Sequence, residues 1–406
     1  MNQIEISEVG NGVVQDLTPD QGRLLEDSGV VTARPLPDGS GRWRIRSTGK
    51  VGAARIGDID VYIAPKLKIA RLLFVAGYAM RGVPWRPETV PLTEADGLVP
   101  VFAQVLWRQI EAAIRQGLLP GYVVREETSL VLRGRLRESA QLHTHHGLPL
   151  PLEVRYDDFT FDIPENRILR TAIEHMLAVP RVDAESQRML RYLLASFAEV
   201  SSLAHAEPVP SWHPTALNAR YHTALNLAEL VLRSTSVEHG RGAVSANGFL
   251  LDMAKLFEDF VTVALREEIE GIYGGKVKGQ NPGHLDKAGL VPLRPDIVWR
   301  LHGRPVAVAD AKYKSEKPSG YPNADLYQLL AYCTVLGLRR GHLIYAKGNE
   351  NPAHHIVRGS GIEIICHAID LDAEPEALLT QISDLAKQIA SAQSQAEPLA
   401  PSLESV

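Results

Sequence analysis

The stretch from Arg294 to Lys314 constrains this chain more than any other. It reads Leu293-Arg294-Pro295-Asp296-Ile297-Val298-Trp299, then Leu301-His302-Gly303-Arg304, then Pro305-Val306-Ala307-Val308-Ala309-Asp310-Ala311-Lys312. Apolar β-formers on either side of a Gly-containing turn predict a β-hairpin. A hairpin symmetric about Gly303 sets Asp296 on one strand against Asp310 on the other. Directly opposed side chains lie about 5 Å apart at Cβ, and like charges there repel. Such a pair is useful only if a cation sits between the acids. Strand alternation also puts Asp310 and Lys312 on one face, with Ala311 turned away. Two carboxylates and an ammonium at one spot predict a metal-dependent phosphodiesterase centre. A solvated hairpin with a surface ion pair is the dull alternative, and the flanking Ile, Val and Ala argue against it.

Oxygen-rich sites suit Mg²⁺ or Mn²⁺, with several waters retained. On this reading Asp296 and Asp310 are direct ligands, joined by the Ala311 backbone carbonyl. Lys312 orients or deprotonates the attacking water, or stabilises developing charge; the sequence leaves these roles open. Glu258, mid-helix in Leu256-Phe257-Glu258-Asp259-Phe260, is a third acid that would hold a second metal or a water. Gln328 and Tyr332, spaced i, i+4, share one face of the following helix and would position DNA or the water.

The 406 residues suffice for two or three domains. Hydrophobic content of 45% and charged content of 22% describe an ordinary globular protein. No apolar run is long enough to span a bilayer, and Met1-Asn2-Gln3-Ile4-Glu5 lacks the character of a secretory signal. Two cysteines, Cys333 and Cys366, read as buried free thiols of a cytoplasmic protein. Net charge is −5, so any DNA-gripping surface must be local. Arg294 to Lys317 carries six Lys/Arg against three acids, with Lys314, Glu316 and Lys317 among them.

Residues 1–95 read as a β-rich N-terminal domain. Trp43–Arg46 and Val51–Ile56 alternate, and a Gly57-Asp58 turn leads into Ile59–Ile63 as a half-exposed hairpin stopped by Pro65. A helix over Ala70–Tyr78 and an irregular connection from Arg81 to Pro87 follow. Residues 96–245 read as a mostly helical middle region, with helices near Leu98–Ile114, from Asp162-Ile163-Pro164-Glu165 through Met176, over Ala184–Val200 and over Pro214–Arg233. In the second of these helices Asp162 is the expected N-cap. Leu130–Leu136 reads as a short strand and turn. Glu238–Ala243 is the expected boundary. Residues 246–390 read as the third domain: a helix over Leu250–Ile269, the hairpin, a helix over Asp325–Leu336, strands Leu343–Ala346 and Ile362–Cys366, and a helix from Glu374. Residues 391–406 read as a disordered tail. His143-Thr144-His145-His146, followed by Gly147 and Pro149, reads as a solvated loop, and His354-His355 likewise. Ser47-Thr48-Gly49-Lys50 is no phosphate loop: Arg44 stands where its first glycine belongs, and no Ser or Thr follows the lysine.

With these residues on the page, the chain resembles the McrC family of McrBC-type, modification-dependent restriction systems. The resemblance runs from about Ile59–Tyr78 to Ala346. It rests on Val61-Tyr62-Ile63-Ala64-Pro65-Lys66-Leu67, on Leu132-Arg133-Gly134-Arg135 and on the run from Tyr156-Asp157-Asp158-Phe159 to Arg167. Leu256–Val261 and the Pro295–Lys312 hairpin with Tyr313-Lys314 complete it. It implies an α/β multidomain protein whose C-terminal domain has the PD-(D/E)xK nuclease fold, a mixed central sheet flanked by helices. The nuclease motif falls on Asp296, Asp310 and Lys312, and Gln328 and Tyr332 resemble the Q-x-x-x-Y helix motif of related nucleases. It further implies cleavage of methylcytosine-containing duplex DNA beside an McrB-like AAA+ hexamer, which binds GTP in this chain's place and into which the N-terminal half inserts. The other readings are a free-standing RecB-like nuclease and a non-cleaving adaptor that activates an NTPase.

Overall fold

The structure is a computed structural model and describes residues 2–81, 97–146, 148–204, 207–235, 246–313, 323–346 and 353–393. The connection after Arg81, the Glu238–Ala243 boundary, Gly147, Lys314, Glu316, Lys317 and all but the start of the expected tail lie outside them. The described part is mixed α/β, with several sheets and ten α-helices. None of these helices is long and apolar enough to cross a membrane.

The first 64 residues supply three strands of a four-stranded sheet. Asn2–Ser7 runs parallel to Ile59–Ala64, which pairs antiparallel with Lys50–Ile56. The fourth strand, Ala246–Asp252, comes from far along the chain and pairs antiparallel with Lys50–Ile56. The 50–64 hairpin is therefore not half-exposed as expected: Val51, Ala53, Ala54, Ile56, Ile59, Val61 and Ile63 are all buried. It lies mid-sheet, and the helix Leu98–Ile114 packs on it. Ala246–Asp252 also corrects the helix expected from Leu250. Phe249, Leu250 and Leu251 are all buried, and a short continuous apolar run does not tell a doubly covered strand from a helix. The helix begins at Met253 and runs to Ile272, capped by Asp252, whose carboxylate accepts the Lys255 N–H at 3.0 Å.

The middle region holds the expected helices as Leu98–Ile114, Pro164–Ala178, Ala184–Ser196 and His222–Thr235. It also holds a three-stranded sheet that the sequence reading lacked, in which Gly121–Ser129 and Arg135–Leu136 flank Leu152–Thr160. Of the expected Leu130–Leu136 strand only Arg135–Leu136 is paired. Asp162 does not cap the next helix. Ile163 holds that position, and the Asp162 carboxylate instead accepts the Ser201 N–H at 2.7 Å and its hydroxyl at 3.0 Å. The histidine cluster is no loop either: Glu138–His145 is helical, and His145 Nε2 lies 2.9 Å from Glu153 Oε1. His354 and His355 lie on an edge strand, Ala353–Ile356.

The C-terminal sheet has six strands in the order Lys276–Gly279, Ile297–Leu301, Arg304–Lys312, Arg340–Ala346, Glu363–Ile369, Ala353–Ile356. Its three central strands are mutually parallel and the outer ones antiparallel. One face (Ile297, Trp299, Ala307, Ala309, Ala311, Ile344, Ile369) joins a core with the helices Met253–Ile272 and Pro375–Gln393 that continues into the N-terminal sheet. The other face (Val298, Val308, Leu343, Ile364, Cys366) packs on Leu329, Tyr332 and Cys333 of the helix Asn323–Leu336. Both cysteines are buried and not joined in a disulfide, and burial raises the Cys333 thiol to about 12, which leaves it unreactive.

Gly341 lets this last helix sit close. A Cβ there would lie 2.6 Å from Cys333 Sγ and 2.9 Å from Leu329 Cγ. We expect Gly341→Ala to lift the helix from the sheet and cost about 1–3 kcal/mol of stability. Urea denaturation would read it as a lower midpoint; an unchanged midpoint would contradict the packing.

Candidate active site

A two-residue turn closes the hairpin. His302 (φ 50°) and Gly303 (φ 82°) both have positive φ, as a type I′ turn requires, and Leu301 faces Arg304. Centred there, an unbroken ladder would bring Asp296 opposite Ala309. A β-bulge prevents this: Arg300 pairs with Pro305 and Trp299 with Ala307, so Val306 is the extra residue. Beyond the bulge Val298 faces Val308 and Ile297 faces Ala309. The next step brings Asp296 to the level of Asp310. The Asp296 carboxylate also reaches across to Asp310's neighbour, Oδ2 accepting the Ala311 N–H at 2.9 Å. The expected confrontation of the two acids thus holds, set by a bulge that the sequence reading did not include.

Asp310 is 1% exposed and Asp296 half-buried. Burial, then the Asp310 charge, pushes the Asp296 carboxyl up to about 7; Ala311's N–H works against this, and Glu258 adds to it. Asp310 is raised too, first by burial, although Lys312 opposes the shift. Lys312 Nζ forms an ion pair with Asp310 Oδ2, a buried atom that receives no well-formed hydrogen bond. The ammonium also donates to Gln328 Oε1 at 3.0 Å. Burial works to deprotonate Lys312, but Asp310, Asp296 and Asp325 outweigh it, so its affinity for the proton rises above the ordinary lysine value.

From Lys312 the chain of hydrogen bonds continues. Gln328 Nε2 donates to Tyr332 Oη at 2.7 Å, and Tyr332 Oη donates to the Arg294 carbonyl at 3.2 Å. The i, i+4 pair therefore ties the helix both to Lys312 and to the strand entry before Asp296. Glu258 stands slightly apart. Its Oε1 accepts from Gln280 Nε2 at 2.7 Å and lies 3.2 Å from Lys255 Nζ, while its charge reaches Asp296. Ala311, the residue expected to offer a carbonyl, contributes its N–H to Asp296.

Two residues escaped the sequence reading. Asp325, in the first turn of the Asn323–Leu336 helix, is 4% exposed, and its charge acts on both Asp310 and Lys312. Tyr345 lies beside Lys312 on the neighbouring strand, with Oη 3.5 Å from Asp325 Oδ2; burial and Asp325 raise its phenol well above the ordinary value. The signal available for Asp325 was its place one turn before Gln328.

The donor set fits a hard divalent cation. Two buried acids drive each other toward the neutral form, and a cation reverses that. The buried Asp310 Oδ2 has room in its coordination for another positive partner. Among the described residues no group of three or more His, Cys, Asp or Glu is gathered around one point. Two protein carboxylates with the remaining positions left to water is the arrangement Mg²⁺ tolerates.

Comparison with known proteins places the chain in a family. The family model described as "McrBC 5-methylcytosine restriction system component" matches residues 45–346. The chain belongs to that family. This bears out the McrC resemblance read from the motifs. Among solved structures, one is a refined half-complex from a tetradecameric assembly of Thermococcus gammatolerans McrB AAA+ hexamers with bound McrC. The match has 18% identity and a TM-score of 0.57, and covers 96% of this chain and 100% of that one. Another is the cryo-EM structure of the Thermococcus gammatolerans McrBC complex, at 20% identity and a TM-score of 0.38, covering 66% and 88%. The first establishes a shared fold. No curated protein matches the chain significantly.

The raised acids give a pH prediction for the protein freed of divalent metal. A carboxyl whose folded pKa is near 7 instead of 3.8 destabilises the fold once it ionises. The penalty is absent below about pH 4 and grows as pH rises toward about 7. Thermal melts in chelator should therefore show stability falling across that window, with a smaller fall in Asp296→Asn. Identical slopes in the two proteins would refute the assignment.

Proposed function

We propose that this chain is the nuclease subunit of an McrBC-like restriction system, cutting duplex DNA that carries methylcytosine while a GTP-hydrolysing McrB-like AAA+ hexamer selects and moves the substrate. The observation that carries the reading is the confrontation of Asp296 and Asp310 with Lys312 bridging to Gln328. The C-terminal sheet, mixed and flanked by helices on both faces, is what a PD-(D/E)xK nuclease domain requires. The shared fold with a chain of the McrB–McrC assembly supports the choice of partner. We assign the partner-facing role to the β-rich region within residues 1–95 and cleavage to the domain after residue 246.

In this mechanism Asp296 and Asp310 would hold Mg²⁺ or Mn²⁺, with Glu258 within electrostatic reach. The bound ion supplies Lewis-acid neutralisation of the phosphate and lowers the pKa of a water. Lys312 acts as an ammonium, because the surrounding carboxylates keep its proton on Nζ. It stabilises negative charge at the scissile phosphate and has a proton to give to the leaving alkoxide. Gln328 fixes the Nζ position, and Tyr332 fixes Gln328.

We expect Asp310→Ala and Lys312→Ala to lower cleavage of a methylated plasmid, in the presence of partner and GTP, by on the order of 10²–10³. Partner GTPase stimulation should persist in both. Chelation of divalent metal should abolish scission. Cleavage by the chain alone without GTP would favour a free-standing nuclease, and a wild type that never cuts but activates the GTPase would favour the adaptor.

A further inference from the structure

The segment between Lys278 and Arg294 is a β-ribbon rising from the edge of the site. Gly283 pairs with Leu293 and His284 with Pro292, and the Leu285 N–H donates to the Val291 carbonyl at 2.8 Å. Both of its feet are bonded to site residues. The Gln280 N–H donates to the Asp296 carbonyl at 2.9 Å, the Gln280 side chain holds Glu258, and the Arg294 carbonyl accepts from Tyr332 Oη.

The tip is preorganised. The Asp286 carboxylate accepts the Val291 N–H at 2.8 Å and the Leu290 N–H at 3.0 Å, contacts that hold its pKa below the ordinary value. Gly289 takes a positive φ of 71° to complete the turn. This ordered turn displays apolar side chains to solvent: Leu290 is 80% exposed, and Leu285 and Val291 are 46% exposed. Single exposed leucines are common, but three in one rigid tip form a patch.

The charged residues of this segment are nearly all positive. Lys278, Lys287 and Arg294 are exposed and form no ion pair among the described residues, and His284 lies in the same segment. Asp286 is the one acid between Lys278 and Arg294, and its carboxylate is spent inside the turn. By contrast, the exposed apolar sheet at 121–160 carries arginines already paired to Asp158, Glu126 and Glu153, which leaves it little free positive charge.

We propose that this ribbon is a duplex-DNA wedge. Leu290, backed by Leu285 and Val291, enters the minor groove next to the scissile phosphate and opens a base step. Lys278, Lys287 and Arg294 take the flanking phosphates. Apolar wedges with adjacent cations are how proteins unstack and bend DNA from that groove, and phosphate contacts set register on the duplex. The inference rests on the nuclease reading above. It deepens that reading by naming the element that seats the strand, since a bent duplex anchored at Arg294 lies two residues from Asp296.

The test uses the full chain with its GTPase partner, in the non-cutting Asp310→Ala background, and a short fluorescein-labelled methylated duplex. A second duplex carries 2-aminopurine to report unstacking. The Lys278→Ala/Lys287→Ala double variant should lower the slope of log affinity against log salt by about two. Leu290→Ser should bind about tenfold more weakly, with the 2-aminopurine signal lost, and Leu290→Met should restore both. Unchanged affinity, slope and fluorescence in all variants overturns the wedge. Variants that impair GTPase stimulation while DNA binding stays intact also overturn it, in favour of a protein-binding surface. In the cutting-competent background, a parent complex that never cleaves refutes the nuclease reading, whereas variants that cleave like the parent refute only the wedge.

Discussion

Two carboxylates held face to face in a partly dry setting organise the C-terminal half of this protein. Like charges directly across a hairpin destabilise it, and burial sharpens the effect because less water screens them. Lys312 forms its ion pair with Asp310 and acts on Asp296 only through its charge, and Asp296 remains with a proton affinity near neutrality. The surrounding structure holds this unfavourable pair in place. The bulge at Val306 sets the register, the Ala311 N–H fixes Asp296, and the Asn323–Leu336 helix clamps Lys312 through Gln328. On the proposed reading, a cation bound there would relieve this repulsion.

The site is also bound to the N-terminal sheet. Ala246–Asp252 completes that sheet and passes without a break into the helix carrying Glu258, and the Met253 N–H donates to the Gly49 carbonyl at 3.1 Å. Tyr313, immediately after Lys312, packs on Phe257 with ring centroids 6.1 Å apart and hydrogen-bonds Glu8 at the end of the first strand's sheet edge. One continuous core spans both sheets.

How much of this the sequence disclosed follows the range of each interaction. Asp310 and Lys312 were legible from alternation alone, and Gln328 with Tyr332 from helical spacing, since both are local periodicities. The Asp296–Asp310 register came out right through an assumption of symmetry that the structure meets differently, with a tighter turn compensated by a bulge. Asp325 was missed because an acid in the first turn of a helix reads as an ordinary surface residue; only the tertiary fold buries it. The 50–64 hairpin was placed correctly, but its burial depends on a strand that arrives from residue 246, which no local pattern announces. Gly121–Ser129 escaped because most of its residues are exposed, without the apolar face that marks a half-buried strand, and Leu152–Thr160 because charged residues cut its apolar alternation short after Tyr156.

The overall charge bears on how such a site is used. At −5 the chain gains little from counterion release on DNA, and a site with two acids repels a phosphate backbone until a cation joins it. Among the local cations, Lys312 lies inside the site, and Arg294, Lys287 and Lys278 lie on the segment that leads into it. On the proposed reading this makes cutting conditional. The duplex must be delivered by something that holds it, and the divalent ion and the backbone then stabilise each other over carboxylates that neither approaches favourably alone. A strongly basic nuclease face would bind any DNA it met. On the same proposed reading, an acidic chain with a small basic ribbon beside its site leaves selection to a partner and keeps only the chemistry for itself.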